Sequence, residues 1–197
     1  MEPKIVIILF LTTTLIISTS QLVSSITTIA QQNTYSTFVK TSCSSSTYPS
    51  VCLKTLLPYA TAVKSNPLKL VNAALSTTLR SSNATLAKIS QLSKTKGITK
   101  WEAAVLKDCI GDIKDSMDEI KDTLKVMSGI SKSNDKRFMI SNAQTWISAA
   151  ITDENSCLDG FSDRKMNPVV KKKIRNSIVS LARVCSNALY LINHLSV

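Results

Sequence analysis

Apolar positions recur along most of this chain at the three- and four-residue steps expected of helices buried on one face. The clearest run is Leu106, Ile110, Ile113, Met117, Ile120, Leu124 and Met127, in strict four-three alternation. Thr99 with Glu102 three residues later forms a capping-box pattern, and Gly129 stops the run, so a helix is predicted from Thr99 to Gly129. Before it, Pro67 suits a first helical turn, and Leu68, Val71, Leu75, Leu79, Leu86, Ile89 and Leu92 predict a helix reaching Gly97. A third helix starts near Ser133 or Asn134 and aligns Ile140, Ala143, Ile147, Ala150, Cys157 and Phe161; Glu154 is its polar exception, and Gly160 weakens its end. Pro168 opens a fourth, with the seam Ile174, Ile178, Leu181, Cys185, Ala188, Ile192 and Leu195. From Tyr35 to about Lys64 the pattern is shorter, broken by Ser44, Ser45, Ser46 and Pro49 and again by Pro58, and predicts a helical hairpin. Four long amphipathic stretches with short connections bury their stripes most simply as an all-α, up-down-up-down four-helix bundle carrying this hairpin as an N-terminal extension.

The first thirty residues read differently. Lys4 precedes an apolar run, Ile5 to Ile17, interrupted only by Thr12, Thr13 and Thr14 and too short to span a bilayer comfortably. This is the pattern of a secretory signal peptide, with small residues offering cleavage after Ser20 or Ala30. The expected division is therefore a leader at 1–30 and one domain at 31–197, secreted and without a membrane anchor in its mature form. The triplet Asn83-Ala84-Thr85 is a glycosylation sequon compatible with that route.

Secretion gives the five cysteines a meaning, because paired thiols become covalent ties in an oxidising compartment. Cys43 and Cys52 enclose a short loop outside the bundle and are expected to pair locally. Cys109 lies near the start of the second long helix and Cys157 near the end of the third, ends that meet in antiparallel neighbours. Two disulfides are thus expected, with Cys185, on the fourth seam, left as a free thiol that reads as a small buried apolar residue, the alternatives being a reactive thiol or an intermolecular bridge.

The chain has a net charge of +11, which bears on association rather than fold. Basic and aromatic residues are not interleaved, so nucleic acid is not an expected partner. An acidic polysaccharide suits the charge better; Lys171, Lys172 and Lys173 form the densest basic run, which is either a generic solvated surface or a contact for such a polymer. Against the basic background, Asp108, Asp112, Asp115, Glu119 and Asp122 line one edge of the second long helix. They are either a solvated face laced by Lys107, Lys114, Lys121 and Lys125 or half of a docking surface for a basic partner. A continuous helix does not wrap a calcium ion, so no metal is expected there.

Enzymatic chemistry has little to work with. The single histidine, His194, stands almost at the C-terminus, where it suits the last helical carbonyls. No nucleophile elbow, metal-binding His or Cys motif or phosphate loop appears, and no cofactor is expected.

Residues 142–161, NAQTWISAAITDENSCLDGF, together with Val105-Leu-Lys-Asp-Cys109 and the Cys43/Cys52 spacing, resemble the plant pectin methylesterase inhibitors and the related pro-regions of pectin methylesterases. The resemblance runs from about Tyr35 to Leu195. It implies a non-enzymatic, secreted inhibitor of the apoplast or cell wall that forms a 1:1 complex with pectin methylesterase and covers its pectin-binding cleft with the second and third bundle helices. By position, Ser156 and Asp159 around the third-helix cysteine become contacts, with Asn155 and Asp153 at the rim. If Lys171, Lys172 and Lys173 are more than solvated surface, the polymer they contact is demethylated pectin or the wall. Invertase inhibitors share the fold and the cysteine framework, so invertase is an alternative target. A basic wall- or membrane-binding protein without an enzyme target is a further alternative.

Overall fold

The computed structural model describes residues 30–161 and 166–195, and all regular structure among them is helical. Helix α1 covers 30–44; α2 (Pro49–Leu56), a 3-10 turn (Leu57–Tyr59) and α3 (Ala60–Val63) follow. Four long helices come next: α4 (Pro67–Leu92), α5 (Lys100–Gly129), α6 (Lys136–Asp159) and α7 (Pro168–Asn193). The predicted leader lies outside the described residues except for Ala30.

Each long helix begins where a side chain satisfies an otherwise orphaned amide. Asn66 Oδ1 accepts from Lys69 N at 3.0 Å and Asn167 Oδ1 from Val169 N at 3.0 Å, and a proline follows each cap. At α5 the capping box is complete, and Glu102 does more than close it. Its Oε2 accepts from Thr99 N and Oγ1, while Oε1 accepts from Asn167 N at 3.0 Å, so one carboxylate ties the start of α5 to the start of α7. These bonds hold the Glu102 carboxyl below its ordinary pKa, the Asn167 amide contributing most. The cap of α6 is Asp135, not Ser133 or Asn134: its Oδ1 accepts from Phe138 N at 3.0 Å, and Ser133 only supports the preceding turn. Helix α4 ends at Leu92, short of Gly97. Ser93, Lys94, Thr95 and Lys96 offer no apolar anchor, and Lys94 N and Thr95 N turn to the carbonyls three residues back. Gly97 then takes the left-handed conformation, φ +88°, in the link to α5.

Helix α4 packs on α5 and α7, and α6 packs on the same two. Contacts join the start of one helix to the end of the next: Asn72 meets Ser128, Cys109 meets Cys157, and Gln144 Nε2 donates to Asn193 Oδ1 at 3.0 Å. The core has two layers. One gathers the hairpin with Leu75, Ile120, Ile147 and Ile192; the other, at the opposite end, gathers Ile89, Leu106, Ile113, Phe161 and Ile178. Each fully buried Leu or Ile contributes roughly 1.5–3 kcal/mol through apolar transfer.

The stripe of α4 differs from the expected one. Leu70, Val71, Ala74, Leu75 and Ile89 are buried together with Thr78, Ser82 and Thr85, whereas Leu68, Leu79, Leu86 and Leu92 are only partly buried. Thr78 and Ser82 tolerate this position because they return their donors to their own helix. Thr78 Oγ1 donates to Ala74 O at 2.9 Å and Ser82 Oγ to Thr78 O at 3.0 Å.

The hairpin is held in two ways. Cys43 and Cys52 are bonded, with Cα atoms 5.5 Å apart. The side chain of Asn187, buried on α7, accepts from Tyr48 N and donates to Tyr48 O, both at 2.9 Å, fixing the α1–α2 turn onto the bundle. Asn83 is exposed on α4, its amide donating to Leu79 O at 2.9 Å.

Candidate functional site

On α5, residues 112, 115, 119 and 122 return at three- and four-residue steps and share an edge. Helix α6 lies against α5 and brings Asp153 into the same cluster. Burial raises the pKa of Asp112, and the charges of Asp108 and Asp115 add to it. Burial raises Asp153 too, with Asp115 and Asp112 adding, and it raises Glu119, with Asp153, Asp122 and Asp115 adding. Four carboxylates from two helices, Asp112, Asp115, Glu119 and Asp153, therefore share one patch, in which Asp112, Glu119 and Asp153 are partly desolvated. The expected lacing by lysines is sparse: among the described residues the ion pair on α5 joins Lys121 to Asp118, 2.7 Å apart, outside the cluster.

A covalent bond and a buried polar row hold this patch in place. Cys109 and Cys157, each about one turn from a member of the cluster, are bonded with Cα atoms 4.4 Å apart. Beneath the surface, Ser116 Oγ donates to Glu154 Oε1 at 3.2 Å, and Glu154 is fully buried. Burial pushes its pKa up to about 8, so this carboxyl is neutral across the acidic range. Cys185 lies beside it as a buried free thiol, Sγ 3.9 Å from Ile147 O. Its own pKa is raised well above the ordinary value, by burial first and then by Glu154, so it stays protonated and unreactive.

The remaining predicted contacts divide. Ser156 is exposed on α6, its hydroxyl donating to Thr152 O at 3.1 Å. Asn155 and Asp159, four residues apart, share an edge turned away from Asp153. Asp159 lines a recess of about 410 Å³ with Leu158, Phe161, Lys171 and Arg175, at the corner of α6 and α7. The structure thus gathers Asp112, Asp115, Glu119 and Asp153, leaves Ser156 one turn beyond them, and sets Asp159 among basic side chains of α7. Ser116 was missed from the sequence, although its place between Ile113 and Ile120 puts it on the buried face.

Elsewhere the chemistry is quiet. His194 Nδ1 lies 2.8 Å from Tyr190 O and its ring stacks on Tyr190 at 4.0 Å, the helix-terminal role its position suggests. Among the described residues no group of three or more His, Cys, Asp or Glu is arranged to hold a metal, the acidic cluster included. No described helix is long and apolar enough to cross a membrane.

Residues 37–191 match the family described as plant invertase/pectin methylesterase inhibitor. The chain belongs to that family. Among its relatives, the 21 kDa protein of Daucus carota is 39% identical over 159 residues, covering 80% of this chain and 82% of the carrot protein. Pectinesterase inhibitor 11 of Arabidopsis thaliana is also 39% identical over 159 residues, covering 79% of each chain. A crystal structure of a mutant pectin methylesterase inhibitor from Arabidopsis superposes with a TM-score of 0.62 at 19% identity, over 78% of this chain and 94% of that one, a likeness of fold. In this member of the plant invertase/pectin methylesterase inhibitor family, the acidic patch lies on the two helices joined by the second disulfide.

Proposed function

We propose that the protein is a secreted inhibitor of pectin methylesterase, acting in the cell wall by laying the α5/α6 face across the enzyme's pectin-binding cleft in a 1:1 complex. The observation that carries this reading is the shared patch of Asp112, Asp115, Glu119 and Asp153. Like charges crowded on a rigid surface cost free energy in the isolated protein, and a basic partner relieves that cost on binding. The buried Ser116–Glu154 pair and the Cys109–Cys157 bond keep the patch from rearranging, so little ordering entropy is lost in the complex. Inhibition is steric and needs no catalytic group on this chain. The family membership and the names of the inhibitor relatives support the choice of enzyme. Two disulfides and the apolar leader support an extracellular site of action, with Asn83 the position for an N-linked glycan. Invertase is the alternative target to pectin methylesterase, because the family description names both.

Titration of purified protein against a panel of pectin methylesterases and invertases tests this. The reading predicts loss of esterase activity to an endpoint near one inhibitor per enzyme and undiminished invertase activity. Inhibition of invertase alone would overturn the choice of enzyme.

A further inference from the structure

The chain's charge is unevenly divided. Residues 100–159 hold eleven of the thirteen acidic side chains, whereas residues 30–99 and 166–195 carry no Asp or Glu and thirteen Lys and Arg. Helices α4 and α7, which pack side by side, therefore form a face without a single carboxylate. Between them runs a groove of about 320 Å³, walled by Ser81, Thr85 and Lys88 on one side and Asn176, Ser177 and Ser180 on the other. Ser177 spends its hydroxyl on Lys173 O at 2.9 Å, but the side chains of Ser81, Asn176 and Ser180 make no hydrogen bond among the described residues. Lys172 and Lys173 precede Asn176 and Ser177 by one turn and point along the same rows.

The arginines of the two helices are engaged elsewhere. Arg80 Nη1 donates to Tyr59 Oη at 2.8 Å, Arg183 lies 5.4 Å over the ring of Tyr48, and Arg175 borders the recess that holds Asp159. Lys88, Lys172 and Lys173 are exposed with no ion pair among the described residues.

We infer that the α4/α7 face is a second binding surface, independent of the enzyme-docking face, and that it takes a linear carboxylated polysaccharide. Carboxylates along such a chain meet the lysines, and sugar hydroxyls meet the open serine and asparagine groups. The groove walls carry no aromatic ring to stack a nucleobase and no large apolar side chain to enter a lipid layer. De-esterified pectin has this chemistry and is what a pectin methylesterase produces; naming it as the source rests on the inhibitor reading above. Because this face and the acidic patch belong to opposite helix pairs, the protein is retained on de-esterified polymer while its acidic face stays available to the enzyme.

Retention of the mature protein on immobilised polygalacturonate, with no enzyme present, tests the inference. Fully methyl-esterified polymer and anionic phospholipid vesicles serve as competing surfaces. Binding to polygalacturonate alone is expected, weakening as salt rises. The triple variant Lys88→Glu, Lys172→Glu, Lys173→Glu should bind about tenfold or more weakly. A matched triple on α5, Lys107→Glu, Lys114→Glu, Lys125→Glu, changes the net charge equally and should bind within about twofold of the parent. Equal losses in both triples, equal binding to the esterified polymer, or stronger binding to vesicles would each overturn the inference. Inhibition is read separately: polygalacturonate binding by a protein that inhibits no esterase would remove the inhibitor reading and leave the surface.

Discussion

The α5/α6 pair and the α4/α7 pair use the same backbone geometry and bury comparable apolar seams, yet they treat polar groups in opposite ways. The first crowds carboxylates at its surface, buries Glu154 beneath them, and is joined by a disulfide. The second carries no acidic side chain, bonds the inward hydroxyls of Thr78, Ser82 and Ser177 to its own carbonyls, and has no covalent tie between its helices. A helical bundle is specified by its interior, so its outer faces are free to diverge in charge without disturbing the packing. The overall charge of +11 consequently misdescribes the face that is proposed to meet the enzyme.

Breaking the tie that distinguishes the two pairs should have the largest effect. Cys109→Ser opens a loop spanning 48 positions, for which chain entropy gives roughly 4 kcal/mol, a large share of a small domain's stability. Its Tm should fall well below that of the parent, and amide exchange should quicken first at the start of α5 and the end of α6. An unchanged Tm would show that packing alone holds the acidic face.

Next comes the patch itself. Asp112→Lys combined with Asp153→Lys should weaken inhibition about a hundredfold, on the order of 3 kcal/mol, while circular dichroism stays that of the parent. Asp159→Lys, at the α6/α7 corner, should weaken it less. Equal effects would move the interface toward the end of α6.

The buried acid gives a subtler contrast. Glu154 keeps its proton in the fold up to about pH 8, against an ordinary value of 4.5. The stability linked to that proton is complete below the ordinary value and is lost as pH rises through about 8. Cys185, Ser116 and Asp153 face the same group, and the first also stays neutral there. Melting curves should therefore show Tm falling by several degrees between pH 5 and 8.5, and Glu154→Gln should flatten the fall. Glu102 works in the opposite sense, since its lowered pKa means that its contribution is lost as pH falls through its folded value. The smallest effect expected is that of Ser156→Ala, under about 1 kcal/mol in binding, because its hydroxyl already serves Thr152 O.

Much of the bundle was legible because helix caps and apolar spacing are local. Thr99 with Glu102, Pro67 and Pro168 marked three starts correctly, and the α7 seam from Ile174 to Ile192 is buried throughout. The inward face of α4 was not legible, because Thr78, Ser82 and Thr85 read as surface residues until the packing around them, and the backbone bonds of the first two, are seen. The site was half legible. The acidic row of α5 repeats at helical steps, but that Asp153 joins it and Asp159 does not depends on how α6 is rotated against α5. That rotation is set by the long-range contact of Cys109 with Cys157 and of Ser116 with Glu154, which no short window of sequence contains. Asn187, reaching across the fold to Tyr48, was hidden for the same reason.

The central claim is that the acidic face, rather than the basic one, meets the enzyme. The direct measurement is inhibition of one sensitive pectin methylesterase, titrated at fixed pH with three folded proteins: the parent, Asp112→Lys/Asp153→Lys, and Lys88→Glu/Lys172→Glu/Lys173→Glu. Strong inhibition by the parent and the lysine variant, with little by the aspartate variant, is the predicted result. Full inhibition by the aspartate variant, or its loss in the lysine variant alone, would contradict the assignment of the α5/α6 face.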